Sequence, residues 1–291
     1  MKNRKRIAAL TVAALAAALA LSACGSASSP GTGANDVAKV ATVKTLTPGV
    51  LAVGSDLTYP PYDTLNGNAP AGFDVDFMNA MATELGVKTN FINTRFAQVV
   101  AGIQANRYDV IASTLYVSTA RSKQVDFVPY FDTGNSILVA AGQPALATAQ
   151  SLCGKTVGVV TATVIATILP GSESDKCKAN GKQPITVKQY PTDPEATQAL
   201  LAHQVDAQMT DAAVAKTVVG KTNGAVAMTS TKLIYPVAVG LAVRKGNTQL
   251  ANGLTAGLAA MKASGAYAKL LKQYNLDPVD PAVLAQSLAQ G

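Results

Sequence analysis

Ala71-Gly72-Phe73-Asp74-Val75-Asp76-Phe77-Met78-Asn79-Ala80-Met81-Ala82 is the stretch from which the fold of this chain can be read. Phe73, Phe77, Met81 and Leu85 recur every four residues, the spacing of one buried helix face. Gly86 suits the left-handed residue that ends such a helix. Working outward, Val50–Ser55 is a β-rich run that closes on polar residues, and Phe91-Ile92 is a short strand. Phe96, Val99, Val100 and Ile103 form a second helical stripe. Asp109–Ala112 then gives a buried strand ending at Ser113-Thr114, and Ser118 can cap a short helix carrying Arg121. The second half repeats the scheme. It has strands at Thr156–Val160, Thr186–Gln189 and Asp206–Met209, a helix starting over Thr163–Leu169, and another capped by Asp193 with Pro194 first. This alternation predicts an α/β fold of mostly parallel sheets flanked by helices.

One correspondence between the halves bears on function. Tyr108-Asp109-Val110 leads to Ser113, and Val205-Asp206-Ala207 leads to Asp211. Open α/β sheets bind ligands just beyond the carboxyl ends of their strands. Two lobes facing each other would bring both polar sets into one cleft.

Composition narrows the function. The formal charge is +7, but Lys2, Arg4, Lys5 and Arg6 lie in a 23-residue leader without acidic residues. Beyond it, 20 basic residues face 17 acidic ones, so nucleic acid is not expected as a partner. A single His excludes multi-His metal sites and any Ser-His catalysis not running through His203, which reads as a surface residue closing a helix. Gly154-Lys155-Thr156 and Gly220-Lys221-Thr222 lack the first glycine of a phosphate loop, and no G-x-S-x-G elbow occurs. No metal, cofactor or catalytic residue is expected.

The leader is itself informative. Ile7–Leu21 is an apolar run broken by one Thr, too short to span a bilayer comfortably, and follows the basic residues. Leu21-Ser22-Ala23-Cys24 resembles a bacterial lipobox, in which the Cys is acylated and the chain is cut before it. Residues 1–23 are therefore expected to be a lipoprotein signal peptide. Residues 24–45, rich in Gly, Ser, Ala and Thr, should be a flexible tether. The folded part should sit outside the cytoplasmic membrane, held to it through Cys24. Cys153 and Cys177 are the two other thiols, in an oxidising compartment. A structural bridge is expected, the alternatives being buried free thiols or a redox pair, which the lack of CxxC disfavours.

The motif at 71–82 closely resembles the signature of the polar-amino-acid solute-binding proteins of ABC importers. Gly54-Ser55-Asp56-Leu57-Thr58-Tyr59-Pro60-Pro61-Tyr62 resembles their first ligand loop. Tyr108–Thr114 followed by Ser118-Thr119-Ala120-Arg121 resembles their arginine segment, Leu152–Val159 the start of their second lobe, and 257–267 their terminal helices. The resemblance covers about residues 46–276 and implies a two-lobed clamshell joined by two crossover strands, near Asp132–Ser136 and Tyr235–Val239. Lobe 1 would comprise 46–133 plus 238–291, and lobe 2 would comprise 134–237.

The resemblance also implies a ligand set. Arg121 would hold a carboxylate in its planar fork, and Thr163 would sit at a helix start facing the same anion. Asp211 would hold the ammonium, with Ser113 and Thr114 adding acceptors. Tyr59 and Phe96 would flank the ligand side chain, and an unpaired Asp56 at its far end would favour an amide or a cation. Three positions depart from the family: Tyr116 replaces a Thr or Ser, Ala162 replaces a Gly, and Val164 replaces a small or polar residue. The implied function is capture of a free polar amino acid by a monomer that delivers it to a membrane permease. Because Arg121 belongs to one lobe and Asp211 to the other, the ligand would stitch the lobes together. Arg121→Ala and Asp211→Ala are expected to weaken binding with little effect on folding. The alternatives are an enzyme on the same fold, similar to extracytoplasmic dehydratases, or a sensor that docks a receptor. The enzyme would be marked by an extra carboxylate or His aimed into the cleft.

Overall fold

The structure of the protein is a computed structural model that describes residues 43–289. The expected leader, Cys24 and most of the expected tether lie outside the described residues. The strands are β1 (Val50–Ser55), β2 (Thr64–Asn66), β3 (Ala69–Ala71), β4 (Lys88–Asn93), β5 (Val110–Ile111), β6 (Val125–Ala140), β7 (Thr156–Val160), β8 (Thr186–Tyr190), β9 (Ala207–Asp211), β10 (Val226–Met228) and β11 (Ile234–Arg244). The helices are α1 (Phe73–Leu85), α2 (Val99–Gln104), α3 (Thr119–Ser122), α4 (Ile165–Ile168), α5 (Ser174–Ala179), α6 (Asp193–Leu201), α7 (Ala212–Lys221), α8 (Thr248–Ala263), α9 (Ala266–Tyr274) and α10 (Pro281–Ala289). Among the described residues no helix is long and apolar enough to cross a membrane.

Two parallel cores repeat the same unit. β1 lies between β4 and β5, with Val53 opposite both Phe91 and Val110. β7 lies in the same way between β8 and β9, with Val157 opposite Val187 and Ala207. Helices connect the strands of each core, so the fold is α/β and two-lobed. The long strands β6 and β11 run antiparallel and serve both lobes. β11 pairs with β5 at Ala242 and Val243, and with β6 from Arg244 opposite Val125 to Ile234 opposite Asn135. The far end of β6 pairs with β9 through Asn135–Leu138 and with β10 through Leu138–Ala140.

The stripe read in α1 is buried: Phe73, Phe77 and Met81 have no exposed surface. They meet an aromatic cluster in which Phe73 stacks on Tyr130 at 5.9 Å and Phe77 lies 4.7 Å from the same ring. The helix starts where it does because Gly72 takes φ 117°, where a Cβ would collide with the Tyr62 carbonyl. It stops at Gly86, φ 68°. In the second core Val157, Val159, Leu169 and Met209 surround Cys177, which is bonded to Cys153.

One cap differs from the sequence reading. Thr192, not Asp193, caps α6: its hydroxyl accepts from Glu195 N, and the Glu195 carboxylate accepts from Thr192 N at 3.0 Å. Asp193 becomes the first helical residue, and its carboxylate is free for another use. The C-terminal segment straps both crossover strands. Asp132 N donates to Asp277 O, Asp280 N to Asp132 Oδ2, and Ala238 N to Ser287 Oγ at 2.9 Å. Thr119 of α3 donates to the Leu288 carbonyl.

Candidate functional site

The carboxyl ends of β1 and β5 and those of β7, β8 and β9 look onto one cleft, of about 590 Å³ including the part continuous with solvent. Asp56, Tyr59, Phe96, Ser113, Thr114, Tyr116, Arg121 and Thr163 all line it, so eight of the nine ligand residues expected from the sequence come together. The ninth, Asp211, does not line it.

Arg121 is the main charged feature. Only 9% of it is exposed. Ser118 caps the short helix α3 through its hydroxyl, which accepts from Arg121 N. The guanidinium donates to Tyr116 O at 2.9 Å and to Ala162 O at 3.0 Å, and it lies 5.4 Å over the Phe96 ring. Among the described residues no carboxylate pairs with it. Burial pulls its pKa down to about 10, so the group remains a cation at neutral pH. A buried cation without a counter-ion is costly unless an anion is supplied.

Asp56 differs from the expectation. It is buried but not unpaired: Oδ1 receives Arg95 Nη1 at 2.7 Å and Thr58 Oγ1 at 2.7 Å, and Oδ2 receives Phe96 N at 2.8 Å. Arg95 thus pairs with the carboxylate that, unpaired, was expected to favour an amide or a cation. Ser113 is also engaged, its hydroxyl accepting from Asp56 N at 2.9 Å. Thr114 sits at φ 46°, held by Asp74, which accepts from its N–H at 2.7 Å and its hydroxyl at 3.2 Å.

On the opposite wall Thr163 lies two residues before α4, its hydroxyl donating to Val160 O and accepting from Ala166 N. Ala162, where the resembled family has Gly, holds φ 64°, and Val164 lines the cleft as an apolar surface. The left-handed conformation costs an alanine about 1 kcal/mol. It aims the Ala162 carbonyl at Arg121.

Asp211 is fully buried where the lobes meet. Oδ1 accepts from Tyr62 Oη at 2.8 Å and Ala213 N at 2.9 Å, and Oδ2 from Thr133 Oγ1 at 2.7 Å and Tyr116 Oη at 2.9 Å. Burial, then the charge of Asp211, pushes the Tyr62 and Tyr116 phenols up, so both stay protonated donors. Tyr116, the departure from the resembled family, thus serves as a tie to Asp211. Nearby, Tyr59 Oη shares a hydrogen bond of 3.1 Å with Thr210 Oγ1 and accepts from Asp211 N at 3.2 Å.

The cleft also holds residues that the sequence reading missed: Thr58, Asn135, Thr192, Thr210 and Asp193. Asp193 follows the carboxyl end of β8, so the strand-end rule applied there would have found it. Among the described residues no group of His, Cys, Asp and Glu could hold a metal ion.

Against known proteins, the model of the bacterial extracellular solute-binding proteins, family 3, matches residues 51–277. The chain belongs to that family. It is 30% identical over 229 residues to an L-cystine-binding protein of Escherichia coli, covering 78% of this chain and 82% of that one. Among solved structures, an ancestral arginine-binding protein bound to arginine superposes with a TM-score of 0.71 at 33% identity, over 78% of this chain and 98% of that one. The substrate-binding protein of an amino acid ABC transporter matches with a TM-score of 0.66 at 25% identity, over 78% and 99%. Membership of a solute-binding family, rather than an enzyme family, gives the protein a binding role and a place outside the cytoplasm.

Proposed function

We propose that this family-3 solute-binding protein captures a free polar or cationic amino acid in the cleft between its lobes and delivers it to the membrane permease of an ABC importer. The observation that carries the reading is Arg121, a buried guanidinium in the cleft with no carboxylate partner among the described residues. An α-carboxylate would supply the missing charge through two parallel hydrogen bonds. Tyr59, Phe96 and Tyr116 would enclose the ligand side chain, with Ser113, Thr114 and Thr163 bordering its polar end. Lobe 1 would be formed by residues 46–133 and 238–291 and lobe 2 by 134–237. Ligand contacts from both would favour the closed state, which a permease can recognise on both surfaces.

Cys24 is the lipid attachment point in this reading. The leader 1–23 would be removed, 24–45 would serve as tether, and the protein would act as a membrane-anchored monomer. The amino acid specificities of the relatives support the ligand class. The test is mass spectrometry of what co-purifies with the protein, followed by calorimetric titration of the twenty amino acids and cystine. An amino acid should co-purify or bind. No heat with any of them would contradict the reading.

A further inference from the structure

Asp193 is the one cleft carboxylate that the protein leaves without a full set of partners. It lines the cleft although only 3% of it is exposed. Oδ1 accepts from Thr210 Oγ1 at 2.6 Å and from Gln208 Nε2 at 3.0 Å. Oδ2 takes no hydrogen bond among the described residues, and no Lys or Arg pairs with the group. Its orientation is fixed from both sides. The Thr192–Glu195 capping box sets the start of α6, and Gln208 is itself held by Thr197 at 2.9 Å. A rigid, buried carboxylate that lines a cavity and keeps one oxygen idle is the arrangement that recognises a cation.

The other two carboxylates are spoken for. Asp56 is neutralised by Arg95, and Asp211 accepts four hydrogen bonds from the protein itself. The cleft therefore presents two charges without counter-ions among the described residues, Arg121 and Asp193. Resting on the amino-acid reading above, we infer that Asp193, not Asp211, receives the ligand's α-ammonium, and that the preferred ligand is a zwitterion of zero net charge. Arg121 and Asp193 match one carboxylate and one ammonium. An arginine or lysine side chain brings a second cation, for which the cleft holds no uncompensated carboxylate. Asp211 instead ties the Tyr62 and Tyr116 hydroxyls of one lobe to the other.

The test uses the full chain in detergent. The twenty amino acids and cystine are titrated calorimetrically, and the tightest binder is compared with its des-amino counterpart (glutaramate for glutamine, imidazolepropionate for histidine). The wild type should prefer the amino acid over that counterpart by about thirtyfold or more, an ammonium–carboxylate contact in a closed site. Asp193→Asn should cut the preference to about threefold or less, while Asp211→Asn keeps it. The Asn side chain retains the acceptor used by Thr210 and Gln208. Should that variant not fold, Asp193→Ser replaces it with the same expectation. A preference that survives in the Asp193 variant, or collapses in Asp211→Asn, overturns the assignment. Tighter binding of arginine or lysine than of every neutral amino acid overturns the charge match. If the wild type binds no amino acid, the underlying reading fails instead. If it binds and Arg121→Ala does not, that reading stands whatever Asp193 does.

Discussion

Replacing Asp211 with Ala should destabilise the fold itself, a consequence that its expected role as a ligand contact did not suggest. The side chain accepts from Tyr62, Tyr116 and Thr133 as well as from the backbone at Ala213. Removing it strands three buried hydroxyls. Each lost partner costs about 1–3 kcal/mol. Two have poorer substitutes in reach: Tyr116 Oη lies 3.5 Å from Asn135 Oδ1, and Tyr62 Oη lies 3.4 Å from Thr133 Oγ1. The change also relieves the burial cost of a carboxylate whose pKa is raised by its surroundings. The net expectation is about 3 kcal/mol. For a chain of this size that corresponds to a fall in Tm of about 6–12 °C by scanning calorimetry. Tyr116→Phe removes a single donor and should lower Tm by roughly 2–6 °C. A Tm for Asp211→Ala within about 2 °C of wild type would refute the reasoning.

Reduction of the Cys153–Cys177 bond should destabilise the protein by about 3 kcal/mol, since it frees a loop of 24 residues in the unfolded chain. The check is denaturant unfolding with and without reductant, and thiol labelling of the native protein should find neither Cys. Burial, then the charge of Asp74, pushes Asp63 well above the usual carboxylate range. The folded state therefore holds a proton that the unfolded state releases, and stability is full at acid pH and lost as pH rises through the raised folded pKa. Wild type should melt lower at alkaline than at mildly acid pH, and Asp63→Asn should flatten that slope. Truncation after residue 279 removes the Ser287–Ala238 and Leu288–Thr119 contacts across β11 and α3. It should lower Tm by about 4 °C or more, measured in the same calorimeter.

The fold was legible because periodicity and strand-end chemistry are local properties. The α1 stripe, its two flanking glycines, and the Asp-led strands at 109 and 206 all lie in short windows of sequence. Eight cleft residues followed from the strand-end rule and the family resemblance together. What stayed hidden was the pairing of charges in three dimensions. Asp56 looked unpaired because its partner, Arg95, is 39 residues away. The hydrogen bonds that fill Asp211 were equally out of sight, because three of its donors, Tyr62, Tyr116 and Thr133, come from distant segments. Asp before Pro is a common helix start, which predicts Asp193 as the cap. The stronger capping box of Thr192 with Glu195 moved the boundary by one residue and turned the carboxylate to the cleft.

Side-by-side titration of wild type and Arg121→Ala with the twenty amino acids and cystine measures whether Arg121 anchors an amino acid carboxylate. Wild type should bind at least one of them. Arg121→Ala should bind the same ligand about thirtyfold or more weakly, because a carboxylate in the closed cleft then lacks its cation. Equal affinity in the two proteins would contradict the account.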